Sequence, residues 1–258
     1  MSSPDIILET RALTKEFKGF VAVSGVDLKV RRGSIHALIG PNGAGKTTCF
    51  NLLTKFIRPT AGQILFEGRD ITASSPAHVA RLGIIRSFQI SSVFPHMTVL
   101  ENVRVALQRP MNNSFQFWRS ARVLEKLDPQ ARDLLRAVEL EEFAGLSAVE
   151  LSYGHKRALE LATTLAMNPR LMLLDEPTQG MGQDDVERVR RLIKKVAAQR
   201  TVLMVEHNMS VVASIADTIT VLQHGSTLAE GSYEQVSGNP AVVEAYMGSA
   251  QTSLQGAH

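Results

Sequence analysis

Residues 40–48 read GPNGAGKTT, which is G-x-x-x-x-G-K-T without a gap. The glycines Gly40, Gly43 and Gly45, spaced by Pro41, Asn42 and Ala44, let a backbone wrap closely round an anion. Successive N–H groups then point inward at its oxygens. Lys46 supplies a cation for β- and γ-phosphates, Thr47 a hydroxyl for Mg²⁺, and Thr48 a further donor to phosphate. A second stretch, LMLLDEP at 171–177, is an apolar run ending in two carboxylates. Asp175 at its end suits a water on Mg²⁺. Glu176 points differently and can reach a water poised at a terminal phosphate, as general base or orienting group. The plain alternatives are a glycine-rich turn and a strand exit with solvated charges.

These groups need a scaffold, and the hydrophobic pattern provides one. Ile35–Ile39, Leu171–Leu174 and Thr201–Val205 are short apolar runs, the pattern of strands covered on both faces. Lys46 to Phe56, Ala158 to Met167 and Asp184 to Ala198 read as helices. The last carries Val186, Val189, Ile193 and Val196 on one face. Strand, phosphate loop and helix therefore follow one another as the loop requires, and the alternation predicts an α/β fold with a mainly parallel sheet. Ile6–Leu8, Val21–Val23, Val26–Val30 and Gln63–Phe66 predict an N-terminal antiparallel β subdomain. Residues 92–150 read as mostly helical, and the polar tail 249–258 as frayed.

The chain has 258 residues, enough for one large domain. The net charge of +3 is too small to imply a nucleic-acid partner. One cysteine, Cys49, rules out an internal disulfide framework, and its place inside a predicted helix disfavours a nucleophilic role. The first residues lack the pattern of a signal peptide, and no run is long enough for a transmembrane helix.

The set GPNGAGKTT, SFQ, LSYGHKR, LMLLDEPTQG and VEHNM, in that order, resembles the ATP-binding subunits of ABC transporters over nearly the whole chain. The resemblance implies a single ABC ATPase domain: a P-loop NTPase core at about 6–90 and 166–248, an inserted α-helical subdomain at about 91–165, and a tail. It implies two such cassettes, identical or paralogous, sandwiching two ATP molecules. Ser152, Gly154 and His155 of LSYGHKR then address the γ-phosphate held by the partner. Gln89 in RSFQ touches Mg²⁺ and senses the membrane subunit, and His207 is the switch histidine that contacts the γ-phosphate. Phe17, with Phe20 as competitor, stacks on adenine; Glu206 is structural. Three positions depart from the family pattern. Tyr153 and His155 replace glycine and glutamine, and Gly182 stands where the loop 179–182 usually closes on an aspartate.

L-S-Y-G-x-x-R-x-L-E-x-A, E-H-N-M and the ending N-P-x-V-x-x-A-Y-M-G resemble the larger ATPase subunit of branched-chain amino acid importers. The resemblance implies an ATPase, with ATP and Mg²⁺ as cofactors, that drives uptake of branched-chain or other hydrophobic amino acids. Import of urea or short amides, or a soluble ATPase acting on nucleic acid or ribosomes, are the alternatives. The implied partners are transmembrane permease subunits, a second ATP-binding subunit and, indirectly, a solute-binding protein; no nucleic acid is expected. The implied location is peripheral, on the cytoplasmic face of a bacterial inner membrane. Residues 89–97 are the docking candidate; Phe115, Phe117 and Trp118 either face the membrane subunit or belong to the core.

Overall fold

A computed structural model describes residues 5–87, 93–108 and 126–255. Gln89 lies outside them, as do Phe115, Phe117, Trp118 and the first part of the docking stretch. The strands are β1 (Ile6–Phe17), β2 (Phe20–Val26), β3 (Lys29–Arg31), β4 (Ile35–Ile39), β5 (Ala61–Phe66), β6 (Arg69–Asp70), β7 (Ile84–Ser87), β8 (Leu171–Asp175), β9 (Thr201–Val205), β10 (Thr218–Gln223) and β11 (Ser226–Gly231). The helices are α1 (Lys46–Leu53), α2 (Pro76–Leu82), α3 (Val99–Gln108), α4 (Asp128–Ala137), α5 (Tyr153–Ala166), α6 (Gln183–Ala197), α7 (Met209–Ile215), α8 (Tyr233–Ser237) and α9 (Pro240–Gln255).

The central sheet runs β11-β10-β4-β9-β8-β7. Its strands are parallel except at the β10–β11 hairpin edge. Alternate residues of each central strand enter two separate cores, as the two-residue period of a strand demands. Ile35, Ala37 and Ile39 of β4, Met172 and Leu174 of β8, and Val202 and Met204 of β9 pack with α3, α4, α5 and α6. Leu38, Leu171, Leu173, Leu203 and Val205 pack on the other face with α1 and the second sheet. That second sheet is antiparallel, with order β2-β1-β5-β6 and β3 paired to β1. The predicted division into a parallel core and an antiparallel β region is present.

Several boundaries differ from the sequence reading: the segment Val26–Val30 divides between the end of β2 and β3, and α5 starts at Tyr153 rather than Ala158, where Ser152 caps it. Helix α1 stops at Leu53, not Phe56, because Lys55 turns left-handed at φ 62° and the Thr54 hydroxyl bonds back to the Phe50 carbonyl at 2.8 Å. Strand β1 continues from Leu8 to Phe17, because β2 and β5 pair with it on either side and satisfy a polar backbone stretch. The final helix continues through Gln255, where a frayed tail was expected; the stretch has no proline after Pro240 and is rich in helix formers. No helix among the described residues is long and apolar enough to cross a membrane.

Candidate active site

Strand register brings the chemistry together. Asp175 pairs with Val205, and Val205 pairs with Leu38. One strand therefore separates Asp175 from β4, a distance of about 10 Å at ordinary strand spacing. The phosphate loop leaves β4, Glu176 leaves β8, and His207 follows β9 by two residues. All three exits lie at the carboxyl edge of one sheet, where such folds place ligands.

The loop is held from several directions. Gly45 has φ 96°, and a Cβ there would lie 2.5 Å from the Ala22 carbonyl of β2, so both dihedral and space require glycine. Lys46 is buried, and its Nζ donates to the carbonyls of Gly40 at 2.7 Å and Pro41 at 2.9 Å. Burial holds its pKa below the usual lysine range, while the Glu176 charge opposes that shift. This links Lys46 electrostatically to the acidic strand end. Asn42, Gly43 and Thr47 are exposed, and Thr48 is half-buried, so the outer side of the loop is accessible. The Tyr246 hydroxyl, from α9, hydrogen-bonds the Gly40 backbone. Cys49, behind the loop, is fully buried, which pushes its thiol up to about 12 and leaves it inert.

Glu176 sits at φ 47°, a strained conformation of the kind that persists only where its surroundings impose it. Its N–H donates to Val205 O at 2.9 Å, which ties the exit of β8 to β9. His207 Nε2 lies 2.6 Å from Glu176 Oε1. A carboxylate accepts, so Nε2 is the protonated nitrogen and donates. Glu206 is buried and accepts from Thr178 N at 3.1 Å, Thr178 Oγ1, His207 N at 2.7 Å and Asn208 N at 3.2 Å. It fastens the exit of β8 to the exit of β9.

Asp175 forms an ion pair with Arg86 of β7, which also donates to Asn51 of α1 at 2.6 Å. Phe17 and Phe20 are register partners at the tip of the β1–β2 hairpin, and both are exposed. Lys15 Nζ stands 4.9 Å from the Phe17 ring centroid. The same hairpin supplies the Ala22 carbonyl beside Gly45, so its tip is tied to the phosphate loop.

LSYGHKR forms the start of α5. Ser152 is its N-cap, and its Oγ accepts from His155 N at 3.4 Å. Gly154 is buried, and a Cβ there would lie 2.1 Å from Asp185 Oδ1 of α6. The neighbour that approaches this glycine within the chain is therefore a carboxylate. Tyr153 donates to the Gln179 carbonyl at 3.2 Å and so ties α5 to the loop 179–182, while Gly182 is the extended N-cap of α6. His155 contacts Ser152 and Arg188.

Residues 23–179 match the family described as ABC transporter, and residues 226–251 match a second, described as branched-chain amino acid ATP-binding cassette transporter. The chain belongs to the ABC transporter family. It is 42% identical to the branched-chain amino acid transport ATP-binding protein BraF of Pseudomonas aeruginosa, over 97% of this chain and all of the relative. It is 37% identical to LivG of Escherichia coli K12, again over 97% of this chain and all of the relative. A solved ABC transporter ATP-binding cassette in its ADP conformation superposes with a TM-score of 0.82, at 31% identity, covering 94% of this chain and 99% of that one.

Within this ABC cassette, sequence spacing missed Arg86, Tyr246 and Arg188. Arg86 opens the stretch RSFQ, in which only Gln89 was assigned a role. Tyr246 was visible only as part of the ending that resembled amino-acid importers, and it lies inside the second matched segment. Arg188 is one helical turn beyond Asp185 on α6, so both can face α5; the i, i+3 spacing was the available signal.

Proposed function

We propose that this ABC cassette is the ATP-hydrolysing subunit of an importer for branched-chain or related hydrophobic amino acids, docked to transmembrane permease subunits at the inner face of a bacterial membrane. The observation that carries the reading is the convergence of Lys46, Asp175, Glu176 and His207 at one sheet edge, with Glu176 both strained and held by His207. The kinship with BraF and LivG supports the cargo. ATP seats its phosphates in the loop 40–48, with Phe17 or Phe20 against adenine. Glu176 orients the attacking water and takes its proton, and His207 fixes the Glu176 carboxylate. Positioning and electrostatics carry phosphoryl transfer. Ser152 and the start of α5 complete the site of a second cassette across a head-to-tail interface, and removal of the terminal phosphate lets that interface open.

Mg²⁺ fits the donor set. Thr47 and Asp175 offer hard oxygens, one neutral and one anionic, which suits an ion that fills its remaining positions with water and phosphate. When bound it neutralises developing phosphate charge. Gln89 is a further proposed contact. Arg86 pairs with Asp175 and also donates to Asn51 of α1, so it links the carboxylate to that helix.

The test is reconstitution of the chain with its co-purifying permease subunits in vesicles. ATP-dependent uptake of leucine, isoleucine or valine, lost in Lys46→Ala, is expected. Uptake of urea or short amides alone would overturn the cargo, and ATP turnover triggered by nucleic acid instead would overturn the transporter role.

A further inference from the structure

Ser152 is the outer member of a chain of three side chains. His155 Nδ1 lies 2.9 Å from Ser152 Oγ, and the ring's other nitrogen, Nε2, meets Arg188 Nη1. Phe143 packs on the imidazole, with ring centroids 4.5 Å apart and planes tilted by 42°. A guanidinium only donates. Nε2 must therefore accept, and the neutral ring carries its proton on Nδ1. That Nδ1–H donates to Ser152 Oγ, which also receives the His155 backbone N–H at 3.4 Å. With two donors already directed at the oxygen, the hydroxyl proton has no partner among these groups. Ser152 is exposed, so the proton is free to donate outward. In the opposite tautomer Nδ1 would accept that proton. Ser152 would then present only lone pairs, which repel a phosphate oxygen.

We propose that Arg188 is a positioning residue: by donating to His155 Nε2 it fixes the ring tautomer that leaves the Ser152 O–H free to donate to the terminal phosphate of ATP on a second cassette. The proposal rests on the role of Ser152 stated above. It is particular to a chain with histidine at 155. A glutamine amide there has no tautomer to fix and does not need the arginine. Burial and the Arg188 charge hold His155 below its ordinary pKa, against Asp185 and Glu142, which favour the protonated ring. The neutral ring is thus the form that works at neutral pH.

Nitrogen-15 NMR of the His155 imidazole reads the tautomer without nucleotide. The wild-type chain is expected to show a protonated Nδ1 and a bare Nε2. Arg188→Ala should show mixed tautomers, and Arg188→Lys, which keeps a donor, should restore the first pattern. In steady-state turnover, Arg188→Ala should lower kcat/KM for ATP about tenfold. In a His155→Gln background the same substitution should change it less than about twofold, since no tautomer remains to be set. A bare Nδ1 in the wild type, or an equal loss from Arg188→Ala in both backgrounds, overturns the proposal. Unchanged turnover in Ser152→Ala overturns instead the role of Ser152 on which it rests, and the NMR arm tells the two failures apart.

Discussion

Glu176 carries three demands at one position: a left-handed backbone, a hydrogen bond to His207, and a charge felt by Lys46. Glu176→Gln keeps the shape and removes the charge. It is expected to bind ATP within about twofold of the wild type and to slow phosphate release by about a hundredfold or more, the scale of a lost general base. A phosphate-release assay beside a binding titration checks both halves. Glu206 differs in kind. Its four acceptor contacts join two strand exits, and none points to a ligand. Glu206→Gln places an amide N–H₂ against donors, so stability should fall by about 2 kcal/mol through an unsatisfied buried group. Urea unfolding should show a lower midpoint at unchanged slope. The sequence places these two glutamates differently: one follows Asp175 at a strand exit and the other precedes His207. It did not show Arg86 on Asp175. That contact depends on β7 lying next to β8, which only long-range strand order decides.

At the scale of elements, β4 was legible as a buried strand from IHALI, yet one of its five residues is a histidine. His36 is buried, its Nε2 is 2.8 Å from Thr220 Oγ1 of β10, and burial pulls its pKa down to about 4 from 6.5. Between those values the unfolded chain binds a proton that the folded chain refuses. The stability that this neutral ring permits is present above pH 6.5 and is lost as pH falls toward 4, at about 1.4 kcal/mol per pH unit and roughly 3 kcal/mol in all. Urea midpoints at pH 7 and pH 4.5 should diverge less in His36→Gln than in the wild type. Helix α9 gives a second case. Sequence polarity suggested that the chain frays after residue 248; the helix instead continues to Gln255, and Tyr246 within it bonds the first residue of the phosphate loop. Tyr246→Phe removes one hydrogen bond, worth about 1 kcal/mol. It should weaken ATP binding about fivefold in a fluorescence titration and lower the melting temperature by only about 2–4 °C. An unaltered affinity would make α9 a cover for the sheet edge and nothing more.

At the scale of the whole molecule, the groups proposed to act on one nucleotide lie at two different places on the chain. The loop 40–48, Asp175, Glu176 and His207 gather at the strand exits, while Ser152 opens a helix whose Gly154 and His155 meet Asp185 and Arg188 of α6. No strand register joins the two sets within one copy. The proposed head-to-tail pair would join them, and its twofold axis would make two sites from two half-sites. Complementation tests this arithmetic. Lys46→Ala disables the loop half and Ser152→Ala the helix half, so each variant alone should be nearly inactive. Mixed in equal amounts, half the dimers combine the two chains, and each of those regains one intact site of two. Turnover should recover to about a quarter of the wild-type rate per dimer, under the symmetric pairing rule. No recovery above the separate variants would overturn the pairing of two identical chains, and recovery with tenfold excess of either variant should fall as mixed dimers are diluted out.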